Sequence, residues 1–358
     1  MGLNMEDLTV RAVTYFATSN HFNTALSEFE EAGHLLRSVE KLIVRHGFSV
    51  FTKRVSFPTL TIDVAEKLVE YVSGSDMLVS IGYQSIKKLR VEDAVHFTSN
   101  GAYLPILYSG EDPIEFADKS SKIIVKSAEN HPLNATRIAL GFHTKKFVTP
   151  YFPDSSSDRN VKLALAFLYP NAILREIESG KTLEESFRKV FLVFEELSSI
   201  VEGELGLPVK VDYSLSPWMD HSVARLIEQL GCRVNAPGVN YSIFKVNDMI
   251  LKHLNKQRAV GFNEVMLPYA EDSLLRTYGS KGLIRARDFL LYASTCVAGV
   301  DMVVVPSDLE KLRNLILDSL SIRMVKKKPF SFRAIPVSGK PGEWVKLGKF
   351  GDAVILEY

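Results

Sequence analysis

The stretch "DVAEKLVEYVSGSDMLVSIG" (residues 63–82) shows the alternation that decides the fold. Residues 63–74 have the pattern of an amphipathic helix, and residues 76–82 form a short apolar run typical of a buried strand. The same two kinds of segment occur upstream, where a β-rich run at 8–17 precedes a helical pattern at 23–47. Strands separated by helices predict an α/β domain whose sheet is covered by helices.

Towards the C-terminus the same alternation continues. The clearest helix is predicted at 182–206, because Thr182 can cap it and Glu184 and Glu185 fall in its first turn. Further strands are predicted at 135–142, 209–217, 263–268 and 300–306, and further helices at 220–231, 271–279, 284–294 and 308–323. Eight to ten strand candidates in one chain favour a closed β/α barrel over an open sheet. The predicted domain is the barrel at 1–323, with 324–358 as a C-terminal β extension packed on it.

Composition excludes several classes of partner. The chain has 358 residues, of which 46% are hydrophobic, and its 43 basic and 42 acidic residues leave a formal charge of +1. This balance creates no broad positive field, so we expect neither nucleic acid nor a membrane surface as a partner. Neither a signal peptide nor a long apolar span is evident, and a cytoplasmic protein is expected. Cys232 and Cys296 lie far apart without a metal-binding spacing, so no metal site is predicted.

The first candidate stretch is "SLSPWMDHS" (214–222), between a predicted strand and helix. Asp220 can cap the helix, and Ser222 with the first backbone N–H groups can receive an anion. His221 beside Asp220 can carry a proton. The alternative is a well-capped helix with a surface histidine.

Two further loops follow predicted strands. In "NAPGVNYS" (235–242), Gly238 permits a tight turn and a close approach of the backbone to a ligand. In "LPYAEDS" (267–273), Glu271 and Asp272 sit at a helix start, as a carboxylate base or metal ligand or only as partners of the helix dipole. The alternative for 235–242 is an ordinary turn.

The segment "CVAGVDMVVVP" (296–306) raises a different question. Asp301 enters an apolar strand, so it needs a partner, and Arg333 in "FSFRAIP" is the natural one. This pair is interpreted either as a structural clamp or as an anion-binding corner. Cys296 is a candidate nucleophile at the edge of a pocket, or a small buried side chain.

Several motifs together carry a family resemblance. They are "VRAVTYFA" (10–17), "TPYFP" (149–153), "YSLSPWMDHSVA" (213–224), "NAPG" (235–238), "LPYAED" (267–272), "CVAGVDMVVVP" (296–306) and "FRAIPVSGK" (332–340). In this order they resemble domain-of-unknown-function family 711, a set of bacterial and archaeal proteins without an assigned activity. The resemblance implies a closed barrel of about ten strands, similar to that of pyruvate formate-lyase and other glycyl radical enzymes.

The resemblance does not carry the radical chemistry with it. Glycyl radical enzymes place their glycine in a pattern like Arg-Val-Ser-Gly-Tyr, whereas this chain has Pro336-Val337-Ser338-Gly339-Lys340. Both the arginine and the aromatic residue are missing. Gly339 is therefore interpreted as part of a hairpin turn.

Two functions remain open from the sequence. In the first, a small anionic metabolite is bound or converted in the mouth of the barrel, with Cys296, Asp220 and His221 as catalytic candidates. The residues predicted to bind it are Arg333, Asp301, Ser222, Gly238 and Glu271. In the second, the same pocket serves a non-catalytic metabolite sensor or interaction protein. A homodimer is compatible with either, and no cofactor is indicated.

Overall fold

The computed structural model describes residues 7–326 and 328–358, so residues 1–6 of the predicted domain and Lys327 of the extension lie outside the described residues. The strands are β1 (Thr9–Phe16), β2 (Lys53–Ser56), β3 (Leu78–Ser80), β4 (Gln84–Ser85), β5 (Leu104–Leu107), β6 (Ile138–Gly141), β7 (Leu163–Leu168), β8 (Val209–Asp212), β9 (Val303–Pro306), β10 (Ser331–Phe332), β11 (Ala334–Val337), β12 (Trp344–Lys346) and β13 (Asp352–Val354). The helices are α1 (Phe22–Arg45), α2 (Ile62–Val72), α3 (Val91–Ser99), α4 (Pro113–Asn130), α5 (Pro132–Ala135), α6 (Pro170–Glu178), α7 (Leu183–Leu205), α8 (Val223–Gln229), α9 (Val239–His253), α10 (Ser273–Ser280), α11 (Asp288–Ala293) and α12 (Leu309–Lys326).

Local signals place the best-predicted helix. Thr182 and Glu185 form a reciprocal capping box at the start of α7, and Gly206 ends the helix in the left-handed conformation at φ 64°. The apolar face of α7 is rich in aromatic residues, and Phe194 stacks on Phe167 of β7 with ring centroids 3.9 Å apart. This packing fixes α7 against the largest sheet.

The largest sheet has five strands in the order β3–β2–β1–β7–β8. Neighbouring strands are parallel within the trio β1, β2, β3 and within the pair β7, β8, but β1 and β7 are antiparallel. A second sheet has the order β10–β6–β5–β4, in which β4, β5 and β6 are parallel. Two-stranded pairings join β9 with β11 and β12 with β13. The α/β prediction is confirmed.

The predicted closed barrel is wrong. Among the described residues the strands form four separate sheets, and none of them closes on itself. A barrel requires a continuous ladder around the whole circumference. Here isolated bridges, such as Ser80 with Tyr103 and Met266 with Ala298, join the edges of neighbouring segments in place of a continuous ladder.

Part of the predicted C-terminal extension contributes strands to sheets that contain earlier ones. β10 pairs with β6, and β11 pairs with β9 in parallel. The division of the chain at 323 stays a prediction. Within the described part of the chain, we find no helix long and apolar enough to cross a membrane.

Candidate functional site

Six charged side chains from distant parts of the chain meet in the interior. We call them the central polar cluster: Arg11, Arg54, Asp154, Glu271, Asp301 and Arg333. Three are arginines and three are carboxylic acids, and direct contacts or close charge interactions connect all of them. Charged groups are rarely buried unless they are paired or functional, so this cluster is the strongest candidate site in the described structure.

Arg11 owes its position to an irregularity in β1. The pairing of β1 with β7 shifts register between Val10 and Ala12, so Arg11 is the extra residue of a bulge. Such bulges re-aim a side chain within an otherwise regular strand. Arg11 Nη1 donates to the carbonyl oxygen of Pro217 at 2.7 Å, and Arg11 Nη2 donates to Glu271 Oε2 at 2.6 Å. The bulge thus brings β1 into contact with two of the loops predicted from the sequence.

Glu271 bridges two arginines. It ends a short 3₁₀ turn at Tyr269–Glu271, and its Oε1 accepts a longer contact of 3.4 Å from Arg333 Nη2. Burial alone would raise the pKa of the Glu271 carboxyl, but Arg11 and then Arg333 more than offset it and lower that pKa. Glu271 is therefore ionised and held in place by both cations.

The predicted contact between Arg333 and Asp301 is present. Arg333 Nη2 donates to Asp301 Oδ2 at 2.8 Å, and Arg333 Nε donates to the other carboxylate oxygen, a bidentate arrangement. Burial acts to lower the pKa of Arg333, yet Asp301 and Glu271 more than compensate and raise it. Two carboxylates already occupy this guanidinium, which favours the clamp over the open anion-binding corner.

Arg54 differs from the other two arginines. It is 6% exposed and lies on β2, next to β1. Its Nη1 donates to the carbonyl oxygen of Pro150 at 2.9 Å and its Nε to Thr52 Oγ1 at 2.9 Å. No carboxylate among the described residues forms an ion pair with it. Burial, and next the positive charge of Arg11, lower the pKa of Arg54 to about 10.

Asp154 lies on an irregular segment, residues 148–157, that is buried along its whole length. Loops normally run over the surface because their backbone polar groups need partners. Here Ser80 supplies one such partner, because its Oγ donates to the carbonyl oxygen of Ser155 at 2.6 Å. The side chain of Ser155 adds a further link, in which its Oγ donates to Ser56 Oγ at 2.8 Å. The segment is thereby held in the interior beside the cluster.

The carboxyl group of Asp154 has one free oxygen. Ser331 Oγ donates to Asp154 Oδ2 at 3.1 Å, whereas the buried Oδ1 has no partner among the described residues. Burial raises the pKa of Asp154 to about 7, with Arg333 opposing the shift and Asp301 adding to it. A carboxyl group with this pKa exchanges protons near neutral pH.

Backbone strain occurs at the same place. Met219 has φ 51° and Met302 has φ 53°, a conformation that side chains other than glycine rarely adopt. Met302 follows Asp301, and the backbone N–H of Met219 donates to the Glu271 carbonyl oxygen at 2.6 Å. Strained residues that adjoin a buried charged cluster are typical of functional sites.

Not all of the sequence-predicted residues reach the cluster. Asp220 is exposed and does not cap a helix, because α8 begins at Val223 with Ser222 as its N-cap. Ser222 Oγ accepts from the Arg225 N–H and donates to Asp272 Oδ1 at 2.7 Å, so its hydroxyl has internal partners. His221 is partly buried, and burial lowers its pKa. These three stay predictions as site residues.

Gly238 and Cys296 are not part of the charged cluster, although the charge of Asp301 acts on the Cys296 thiol. Gly238 is exposed, has φ 101° at the start of α9, and lines a cavity of about 470 Å³ whose described lining includes no member of the cluster. Cys296 is fully buried, and that burial raises its thiol pKa to about 12, which makes it a poor nucleophile. Its carbonyl oxygen accepts a hydrogen bond from Lys326 Nζ. Gly339 is exposed in the turn after β11.

Sequence reasoning missed Arg11, Arg54 and Asp154. A signal existed for the first two: each arginine stands among residues that form a buried strand, the same pattern that singled out Asp301. Asp154 carried no such signal, because a loop containing serine, proline and aspartate is expected at the surface. Among the described residues, no group of three or more His, Cys, Asp or Glu is arranged to hold a metal ion.

Comparison with known proteins identifies the family. Residues 114–348 match the model of a family described as "Uncharacterised ACR (DUF711)", and the chain belongs to that family. The resemblance drawn from the sequence motifs is thus confirmed.

Relatives in both archaea and bacteria share the family name "UPF0210 protein". The protein from Sulfurisphaera tokodaii is 25% identical over 407 aligned residues, which cover 99% of this chain and 91% of that protein. The match to the protein from Lacticaseibacillus casei is 30% identical and covers 52% of this chain and 42% of that protein. The match to the protein from Desulforudis audaxviator is 31% identical and covers 55% of this chain and 47% of that protein. The chain therefore aligns with less than half of either bacterial protein.

Proposed function

We propose that this member of the DUF711 family binds a small anionic metabolite, through a carboxylate or phosphate group, at the central polar cluster. The observation that carries the proposal is Arg54, a buried guanidinium beside Arg11 with no carboxylate partner in the described structure. A buried charge without a counter-ion is costly. An anionic ligand supplies that counter-ion.

The charges in the cluster support the same conclusion. Arg11, Arg54 and Arg333 contribute three positive charges, whereas Glu271 and Asp301 contribute at most two negative ones, because burial raises the pKa of Asp301. Asp154 adds a third only above its pKa of about 7. Below neutral pH the cluster thus has an excess of at least one positive charge, which an anionic ligand balances.

Two unpartnered polar atoms support the proposal. Arg11 Nε and Asp154 Oδ1 are both buried without a partner among the described residues. We propose that a ligand held by Arg11 and Arg54 also reaches Asp154, whose carboxyl group can exchange a proton with it. Asp154 is therefore the proposed acid or base if the bound metabolite is converted, a role that the sequence assigned to Asp220 and His221.

The second candidate is a non-catalytic sensor that uses the same site. The observation that favours it is the burial of Cys296, which removes the one nucleophile considered from the sequence. Asp154→Asn separates the two functions in a turnover assay with the identified ligand. An enzyme loses turnover in this variant and still binds, whereas a sensor shows no turnover in either form.

Binding is tested by thermal shift and calorimetry with acetate, pyruvate and malate as anionic probes and glycerol as the neutral one. We expect at least one anion to raise the melting temperature of the wild type, and Arg54→Met to abolish that rise. Arg54→Met should not lower the melting temperature of the ligand-free protein, because it removes an uncompensated charge. Arg188→Met, at an exposed position of α7, is the matched control and should respond like the wild type. Equal affinities of Arg54→Met and wild type would refute the proposal.

A further inference from the structure

A second candidate site lies where the parallel strands β4, β5 and β6 end. Two cavities of about 520 Å³ and about 400 Å³ are found there, and they share the lining residues Leu107, Ser109 and Lys145. Leu107 is the last residue of β5, and Ser85, the last residue of β4, lines the smaller cavity. We call the two together the strand-end cavity. Ligands of α/β proteins commonly bind at this edge of a parallel sheet.

The strand-end cavity is lined by cations and hydroxyl groups. Lys88, Lys145 and Arg323 contribute positive charges, and among its described lining residues none is Asp or Glu. Glu111 lies behind the lining, where its carboxylate accepts from the Ser109 N–H at 2.7 Å. Hydroxyl groups of the lining are provided by Thr59, Thr61, Tyr83, Ser85, Tyr108, Ser109 and Thr144. This lining complements an anion that also carries hydroxyl groups.

His143 adds a buried polar group to the lining. It follows β6, is only 5% exposed, and packs between Tyr83 and Phe147 at ring-centroid distances of 5.1 and 4.5 Å. Its Nδ1 lies 3.2 Å from the Thr144 carbonyl oxygen, a contact in which Nδ1 carries the proton. Nε2 is then an acceptor, and it has no partner in the described structure. That atom is closed off from solvent and faces Gly141, so His143 contributes to the lining through its ring and not through this acceptor.

We propose that the strand-end cavity binds a phosphate monoester of a polyhydroxy compound, with the phosphate on Lys145 and Arg323. Guanidinium and ammonium groups are the usual partners of phosphate. No carboxylate among the described lining residues repels the phosphate or competes with it for these cations. Threonine and serine side chains of the lining form hydrogen bonds with the hydroxyl groups of the ester. This site is separate from the central polar cluster, since no cluster residue belongs to its described lining.

The test is calorimetric titration of the full chain with inorganic phosphate, ribose 5-phosphate and ribose. We expect ribose 5-phosphate to bind more tightly than either of the others. The double variant Lys145→Gln/Arg323→Gln should weaken it at least about tenfold, the usual scale for losing charge-assisted hydrogen bonds. Lys146→Gln is the matched control, because Lys146 is exposed beside Lys145 but does not line the cavity. Its affinity should equal that of the wild type.

Three outcomes would overturn the proposal. They are equal binding of ribose and ribose 5-phosphate, unchanged affinity in the double variant, and no binding of ribose 5-phosphate at millimolar concentrations. Arg54→Met distinguishes this site from the cluster, since it should leave the affinity for ribose 5-phosphate unchanged. Loss of that affinity in Arg54→Met would assign the phosphate to the cluster instead.

Discussion

Arg333 is bound to Asp301 through two N–H groups, one of them 2.8 Å from Asp301 Oδ2, and both side chains are almost wholly removed from solvent. The pair connects the segment before β9 with the residue between β10 and β11. Its contribution to stability is open to direct measurement.

We expect Arg333→Met to lower the free energy of unfolding by about 3–5 kcal/mol, because it leaves Asp301 buried without its cation. Urea denaturation followed by circular dichroism measures the change. The double variant Arg333→Met/Asp301→Leu should regain much of the loss, since it removes both charges. A loss below about 1 kcal/mol in the single variant would show that the clamp contributes little, as exposed pairs do.

Asp154 should make the protein less stable as the pH rises. Its folded pKa of about 7 lies above the ordinary value of about 3.9, so the folded state holds a proton that the unfolded state has lost. Stability is therefore highest near pH 4 for this group and falls between pH 4 and pH 7, by on the order of 4 kcal/mol in total. Asp154→Asn mimics the neutral form and should remove this dependence.

The measurement is a series of urea denaturations between pH 4 and pH 8. Asp220→Asn, at an exposed position, is the control and should retain the wild-type dependence. If the free energy of unfolding of Asp154→Asn changes with pH as that of the wild type does, Asp154 is already ionised in the folded protein. That result would contradict its proposed role in proton exchange.

His143 should make the protein less stable as the pH falls, the opposite of the effect expected for Asp154. Burial lowers its pKa to about 4, and a smaller contribution comes from Arg323. Between pH 6.5 and pH 4 the unfolded state binds a proton that the folded state does not, so stability decreases as the pH falls, by about 3 kcal/mol. His143→Phe should flatten this part of the profile, whereas the same change at exposed His34 should not. An NMR titration that places the His143 pKa near 6.5 would contradict the prediction.

Cys296 should be inert in the native protein. Its thiol is fully buried and its pKa is raised to about 12 by that burial, whereas Cys232 is partly accessible. With iodoacetamide we expect mass spectrometry to find native protein alkylated at Cys232, and Cys296 modified only after denaturation. Native alkylation of Cys296 as fast as that of Cys232 would restore it as a candidate nucleophile.

Elements whose signals are local could be predicted from the sequence. Helix α7 was predicted at 182–206 and occupies Leu183–Leu205, because its capping box and its terminal glycine are neighbours in the chain. The strand predicted at 300–306 contains β9. The expected contact between the buried Asp301 and Arg333 is present. A single rule, that a buried charge requires compensation, was sufficient in that case.

The arrangement of the strands could not be predicted in the same way. Strand count favoured a closed barrel, but closure depends on which strand edges pair, and those pairs join segments far apart in sequence. The same limitation applies to the site. A bulge in β1 re-aims Arg11, and serines bury the segment that carries Asp154.

Sequence alone therefore determined the α/β class, several of the helices, the family and the need of Asp301 for a cation. Only the tertiary structure decided that Arg54 has no carboxylate partner among the described residues, that Cys296 is fully buried and that Gly238 lines a separate cavity. The physical reason is one of range. Caps, turns and periodicity act between residues a few positions apart, whereas the balance of buried charge depends on every chain segment that reaches the same interior volume.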